Sequence, residues 1–328
     1  MKGVTYSQKA LAEYFENHLK NEQFEGNPQQ LYEPIRYMLE LGGKRLRPVL
    51  TLMGYGLYHD DIEKALPQAI AIELFHNFTL IHDDIMDNAP VRRGKTTVYK
   101  KWDSNTAILS GDTLFAMAYQ YAQKADREIL GDVLSVFSQT AIEVCEGQQM
   151  DLEFEKEQNV SVKDYLEMIR LKTGVLFAAS LKIGAIIAKA SQEEAENLYR
   201  FGEKIGLGFQ IQDDLLDTFG NEKIFGKKTG GDILTNKKTF LYLKALEKAN
   251  DQVKETLRSY YSSHDFDQEE KITAVKKIFQ DLGVDQESTD LINRYFNESI
   301  LHLDKLKVSA DKKAELRKIA ENMIKRDK

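Results

Sequence analysis

Two acidic segments of one pattern, Asp83-Asp84-Ile85-Met86-Asp87 and Asp213-Asp214-Leu215-Leu216-Asp217, stand 130 residues apart in a chain of 328. On an α-helix the first and fifth residues of such a segment lie about 40° apart around the axis and about 6 Å apart along it, so two carboxylates share one face. Carboxylates crowded in this way repel one another unless a cation intervenes. Mg²⁺ takes oxygen ligands, uses only one or two carboxylates per ion and fills its remaining positions with water and phosphate oxygens. Two facing helices that carry these segments would therefore suit a diphosphate held through Mg²⁺. Each segment ends an apolar run, residues 74–81 and 205–211, too hydrophobic for exposed surface. Unpaired charge entering an interior is strongly unfavourable, which argues against two merely solvated acidic faces.

Cations accompany the acids. Gly42-Gly43-Lys44-Arg45-Leu46-Arg47-Pro48 places three of them behind two glycines, a candidate second anion site. Arg92 and Arg93 follow the first acidic segment, and Lys227, Lys228, Lys237 and Lys238 follow the second. The repeated acidic-then-basic order is expected if carboxylates hold Mg²⁺ while cations bind the same diphosphate directly. Counting back from Asp83 at 100° per residue, Thr79 is displaced by about 40° and His76 by about 20°, so both share the carboxylate face. His82 points about 100° away and reads as packing or support.

The elements that must position these residues read as helices. Apolar residues recur at 3–4 spacing nearly throughout, and no section shows the period-two alternation of strands. The five prolines fall at or near expected helix boundaries, with Asn27-Pro28 read as an N-cap followed by proline at the first helical position. Ser161–Asp164 and Ser191–Glu194 resemble capping boxes. Residues 165–190 are apolar around much of the helix circumference, and Ala178, Ala179, Ser180, Gly184 and Ala185 would permit close packing inside a bundle. No Pro/Gly/Ser-rich linker divides the chain, so one domain over residues 1–328 is expected.

Composition excludes several classes. Forty-five Lys and Arg against 52 Asp and Glu give a net charge of −7, and no basic stripe suggests nucleic acid. The single cysteine, Cys145, reads as core packing in a reducing compartment. No secretory segment and no apolar run of 18 residues is visible, so a cytoplasmic protein is expected.

Taken together, the segments at 42–48 (GGKRLRP), 78–87 (FTLIHDDIMD), 92–94 (RRG), 172–174 (KTG), 208–217 (GFQIQDDLLD) and 226–233 (GKKTGGDI) resemble the trans-isoprenyl diphosphate synthases, which join isopentenyl diphosphate to an allylic diphosphate. The resemblance implies an all-α bundle around a deep central cavity, a homodimer and three Mg²⁺ ions. It implies metal binding by Asp83, Asp84, Asp87, Asp213 and Asp217, the second and last of these directly or as supports. Lys44, Arg47, His76 and Arg93 would bind isopentenyl diphosphate. Arg92, Lys172, Thr173, Gln210, Lys227 and Lys237 would contact the allylic diphosphate, with Lys228 an alternative to Lys227. Thr173 and Gln210 would also turn oxygen dipoles toward the cation, and the released diphosphate would accept the final proton. No motif is assigned beyond about residue 248.

Product length is expected to depend on Phe78 and Thr79. Thr79 lies almost beneath Asp83 and is small, whereas the role of Phe78 as a wall is implied by the resemblance alone. An aromatic at 78, a small residue at 79 and no insertion in the acidic segment resemble the archaeal-type geranylgeranyl synthases, which favours a C20 product over C15 or C25 and longer. A terpene cyclase would carry an Asn/Ser/Glu pattern as its second metal motif. A non-catalytic subunit of a hetero-oligomeric synthase would carry degraded acidic segments, and a di-metal carboxylate bundle would carry Glu-x-x-His pairs. None of these patterns is present.

Overall fold

The computed structural model describes residues 6–220, 229–262 and 267–324. Lys227 and Lys228, both sequence candidates for diphosphate contact, lie outside the described residues. As the periodicity predicts, the described chain is all-α, apart from one two-stranded antiparallel hairpin, β1 (Val91–Arg92) and β2 (Lys95–Thr96). It divides into two compact units, residues 1–139, 179–199 and 306–316 in the first, and 140–178, 200–305 and 317–328 in the second.

The first unit contains α1 (Gln8–Asn21), α2 (Gln29–Glu40), α3 (Leu46–Gly56), α4 (Leu66–Met86), α5 (Val98–Lys101) and α6 (Ser104–Ala122). α4 carries the first acidic segment at its end and packs against α2, α3 and α6. Ala69, Ile70, Ala71, Ile72, Leu74 and Phe75 are all buried, because a helix that is apolar on every side must be covered on every side. The one acid in its middle, Glu73, is buried as well and accepts from Arg45 of the Lys44–Arg47 turn and from Asn77 Nδ2 at 3.0 Å.

Next in the chain come α7 (Leu130–Lys156), α8 (Val162–Ile169), α9 (Val175–Ile187) and α10 (Gln192–Phe219), the last carrying the second acidic segment. They are followed by α11 (Gly231–Leu234), α12 (Phe240–Lys248), α13 (Asp251–Ser262), α14 (Gln268–Asp281), α15 (Val284–Asp304) and α16 (Ala310–Ile324). The segment beyond residue 248, silent in motifs, supplies core. Leu257, Val275, Phe279, Val284 and Ile292 pack in one cluster with Ile169, Leu207, Ile211 and Leu215 of the second unit.

Local signals hold in part. Ser161 and Asp164 form a capping box, with Asp164 N–H donating to Ser161 Oγ and Ser161 N–H donating to Asp164 Oδ2, each at 3.1 Å. Ala178, Ala179, Ser180 and Ala185 are fully buried, as their size suggests. Three expectations are corrected. Pro28 itself is the N-cap of α2, in extended conformation, and helix begins one residue later. Pro34 lies inside α2, where its buried ring contributes packing at the expense of a backbone donor. Cys145 is exposed on α7 rather than packed in the core.

Candidate active site

In the first unit the members of the acidic segment separate by environment. Asp83 is half-buried and Asp87 exposed, while Asp84 is buried beneath them. Both Asp84 oxygens accept from Arg92 Nε, at 2.8 and 2.9 Å, and Arg92 Nη2 adds a third contact at 2.8 Å. Burial raises the Asp84 carboxyl above its ordinary range and Arg92 partly offsets this. Arg92 belongs to β1, and the hairpin turn that follows places Arg93 at φ 52° and Gly94 at φ 74°, as a two-residue turn with both central residues left-handed requires. Arg93 then donates to the carbonyl of Gly42, so the RRG and GGKRLRP segments meet.

The three cations of the GGKRLRP turn have different roles. Lys44 is exposed. Arg45, at φ 47°, is buried and donates to Glu73, to Glu16 at 2.8 Å and to the carbonyl of Leu39 at 2.6 Å. It holds the turn against α4 and is not available to a ligand. Arg47 Nη1 lies 3.2 Å from His76 Nε2. Burial, and then the Arg47 charge, hold His76 well below its ordinary pKa of 6.5, so the imidazole is neutral at pH 7.

Thr79 Oγ1 donates back to the carbonyl of His76 at 2.8 Å. Phe78 turns toward α6, where its ring stacks on Phe115 with centroids 5.0 Å apart, and it also meets Phe75 and His82. His82 is a packing residue. Its Nε2 lies 3.2 Å from the carbonyl of Ile108, against Gly111.

The second unit holds a cavity of about 310 Å³, within the size range of small-molecule sites. Asp213 and Asp217 line it with Lys172, Thr173, Gln210 and Lys237, six residues given a site role from the sequence, and Asp214 joins them. Asp151, Glu155, Tyr165, Asp232 and Lys238 share the lining. Six carboxylates thus face three lysines. Asp214 is buried and accepts from Tyr165 Oη and from Gln210 Nε2 at 3.0 Å, while Asp213 and Asp217 are half-buried. The Asp232 carboxyl is pushed up to about 6 by burial and by the charge of Asp217. Its N–H donates to Asp217 Oδ2 at 2.8 Å.

Lys172 and Thr173 sit in a π-helical segment, Arg170–Gly174, between α8 and α9. Such insertions recur at functional sites because they break the regular phase of the helix. Two glycines on neighbouring helices explain how the segment is gripped. A Cβ on Gly147 of α7 would lie 2.3 Å from Lys172 N, and one on Gly206 of α10 would lie 2.7 Å from Gly174 Cα. The backbones touch only because both side chains are absent. One turn beyond each glycine stands a polar partner on the same face. Asp151 accepts from Lys172 Nζ at 2.5 Å, and Gln210 Oε1 accepts from Thr173 Oγ1 at 3.0 Å.

Sequence reasoning missed Asp151, Tyr165, Asp214 and Asp232 as members of this wall, and Phe115 as the partner of Phe78. Asp151 and Gln210 each follow a helical glycine by four residues, a signal that becomes readable only once the glycines are known to touch the same segment. Among the described residues no three His, Cys or acidic side chains converge into a ready metal cage. The excess of carboxylates over lysines in the cavity nevertheless fits a divalent cation that keeps much of its water and takes phosphate oxygens.

A helical fold with two carboxylate-and-cation clusters of this composition defines a class, and the sequence relationships agree. The polyprenyl synthetase family model matches residues 28–280, so the chain belongs to that family and is a trans-prenyltransferase. It is 42% identical to the short chain isoprenyl diphosphate synthase of Methanocaldococcus jannaschii, over 84% of this chain and 83% of that one. It is 39% identical to the geranylgeranyl pyrophosphate synthase of Geoglobus acetivorans, over 97% of each. A crystal structure of a geranylgeranyl pyrophosphate synthase superposes with a TM-score of 0.94 at 42% identity, covering 99% of this chain and 100% of that one.

Proposed function

We propose that this chain condenses isopentenyl diphosphate head-to-tail (1′-4) with allylic diphosphates, in a Mg²⁺-dependent reaction, to give the C20 product geranylgeranyl diphosphate. The observation that carries the reading is the second-unit cavity, where Asp213 and Asp217 stand with Lys172, Lys237, Thr173 and Gln210 in one lining. The names of the similar proteins point the same way.

Asp83, Asp87 and Asp213 would hold the metal, three ions in all, with Asp84 and Asp217 in direct or supporting positions. Bound Mg²⁺ would supply Lewis acidity toward the leaving diphosphate. Arg92, Lys172 and Lys237, with Lys227 outside the described residues, would bind the allylic diphosphate. Lys44, Arg47, His76 and Arg93 would bind isopentenyl diphosphate, the neutral His76 donating or accepting without adding charge. The allylic C–O bond breaks and its electron pair leaves with diphosphate. The isopentenyl double bond then attacks the allylic carbon, and a proton lost from the adjacent carbon passes to the released diphosphate. The oxygens of Thr173 and Gln210 are suited to stabilise the positive charge.

The C20 assignment rests on Phe78. Its ring is held by Phe75, Phe115 and His82, which suits a fixed wall, while the small side chain of Thr79 suits an open shaft beside it. We read residues 1–328 as one prenyltransferase domain that forms a homodimer in the cytoplasm. The exposed Ile108 and Leu109 on α6 support a partner surface, and no helix among the described residues is long and apolar enough to cross a membrane. Product analysis after incubation with Mg²⁺, labelled isopentenyl diphosphate and, separately, C5, C10 and C15 allylic diphosphates tests the reading. A dominant C20 product from all three is expected. C15 or C25 products would overturn the length assignment alone, and no product from the purified chain would overturn the catalytic one.

A further inference from the structure

A chain of hydrogen bonds runs along one wall of the second-unit cavity. Tyr165 Oη meets Asp214 Oδ2, Gln210 Nε2 donates to Asp214 Oδ1 at 3.0 Å, and Thr173 Oγ1 donates to Gln210 Oε1 at 3.0 Å. All four residues line the cavity. The polarity of this chain follows from what each group can give. A carboxylate only accepts, a primary amide donates at one end and accepts at the other, and a hydroxyl has a single hydrogen. With Asp214 ionised, the only proton of the close Tyr165–Asp214 contact lies on the Oδ2 side, so Oδ1 can only accept. The amide NH₂ of Gln210 must therefore face Asp214, and its carbonyl must face Thr173. Thr173 then commits its only hydrogen to Gln210. What remains for the cavity is its lone pairs. With the amide reversed, the NH₂ would donate to Thr173, and the hydroxyl hydrogen would be left to point at any cation in the cavity.

We propose that Asp214, braced by Tyr165, is a positioning residue that sets the amide of Gln210 so that Thr173 presents lone pairs to the allylic carbon as positive charge develops there. Asp214 is on this view not a metal ligand, although it belongs to the same acidic segment as Asp213. Both of its oxygens are already engaged by donors from the protein, and it is buried where Asp213 and Asp217 are half-buried. The inference deepens the condensation reading and rests on it.

Steady-state kinetics of the full chain with farnesyl diphosphate, isopentenyl diphosphate and varied Mg²⁺ test it. Asn at 214 carries both a donor and an acceptor and no longer dictates the amide. Asp214→Asn should therefore lower kcat roughly ten- to a hundredfold, less than the roughly hundred- to thousandfold cost of removing a preorganised dipole outright, because the Thr173 hydroxyl stays in place and only its orientation is freed. KM for both diphosphates and the half-saturating Mg²⁺ concentration should stay within about twofold, because uniform binding is untouched. In a Thr173→Val background the same substitution should cost no more than about twofold, since its effect passes through that hydroxyl. A roughly tenfold rise in half-saturating Mg²⁺ would instead make Asp214 a ligand, and a full multiplicative loss in the Thr173→Val background would deny the route through Thr173; either overturns the proposal. Tyr165→Phe keeps the carboxylate and serves if Asp214→Asn folds poorly. It should lower kcat several-fold at unchanged Mg²⁺ dependence, and wild-type kcat would overturn the bracing role. An inactive wild-type chain would instead sink the condensation reading itself.

Discussion

Replacing Gly147 by Ala separates the cost of stability from the cost of catalysis. The new methyl would lie 2.3 Å from Lys172 N and 2.8 Å from both the carbonyl carbon and the Cβ of Leu171, whereas ordinary contact begins at 3.4 Å. Two of these three atoms are backbone and cannot rotate aside, so the π segment and α7 must part by about 1.1 Å, the difference between 3.4 and 2.3 Å. Overpacking of this kind costs about 1–3 kcal/mol. Against it, Ala is favoured over Gly inside a helix by about 1 kcal/mol. The net destabilisation is therefore about 0–2 kcal/mol, a drop in Tm of a few degrees. Catalysis is less forgiving. Lys172 and Asp151 are 2.5 Å apart, and a displacement of about 1 Å exceeds the spread of hydrogen-bond lengths. Misplacement on that scale costs about a hundredfold in rate, or about 2.7 kcal/mol of activation energy. Calorimetry and turnover measured on one preparation should therefore disagree: near-normal unfolding, with kcat reduced roughly ten- to a hundredfold. Wild-type turnover in Gly147→Ala would refute the argument that close approach of these backbones positions Lys172.

Asp83→Ala should lower kcat by roughly two orders of magnitude or more while far-ultraviolet circular dichroism is unchanged, and near-normal turnover at saturating Mg²⁺ would remove Asp83 from the metal site. Phe78→Ala should lengthen the product, and Phe115→Ala should do so to a lesser degree by releasing the stacked ring; chromatography of the dephosphorylated products showing only the wild-type distribution would exclude this wall. His76 supplies a pH test. Its folded pKa lies well below 6.5, so below pH 6.5 the unfolded chain binds a proton that the folded chain refuses. Stability is full above that pH and declines as pH falls toward the folded pKa, by at most about 1.4 kcal/mol per unit. Urea midpoints between pH 7 and 5 should fall less steeply for His76→Gln than for wild type, and parallel curves would show that His76 does not carry the effect.

What the sequence disclosed was local or periodic. The capping box at Ser161 depends on two residues three apart, and the burial of α4 on its lack of a polar side. The repeated acidic segments and the glycines of GGKRLRP are likewise visible as spacing. The β1–β2 turn was a basic loop in the sequence; its geometry needed the structure, because only Gly94 of the Arg93-Gly94 pair is a residue that favours the left-handed conformation both adopt. Cys145 was misplaced because a small apolar thiol has no periodic signature of its own on an amphipathic helix.

The same letter in the same motif was decided only by tertiary contacts. Asp83 and Asp84, like Asp213 and Asp214, are neighbours in sequence, yet the second of each pair is buried and engaged by Arg92 or by Tyr165 and Gln210. Helical geometry turns adjacent residues about 100° apart, so one faces the cavity or solvent while the other meets whatever packs behind it. Sequence by itself determined that this chain is helical, carries two carboxylate clusters with attendant cations, and resembles prenyl diphosphate synthases. The tertiary structure decided which carboxylates are buried and engaged by protein donors, that Arg45 is a buried tie to Glu73 and Glu16, and that Gly147 and Gly206 bring Asp151 and Gln210 to Lys172 and Thr173. Those outcomes depend on burial and on partners distant along the chain, and neither is a function of local spacing.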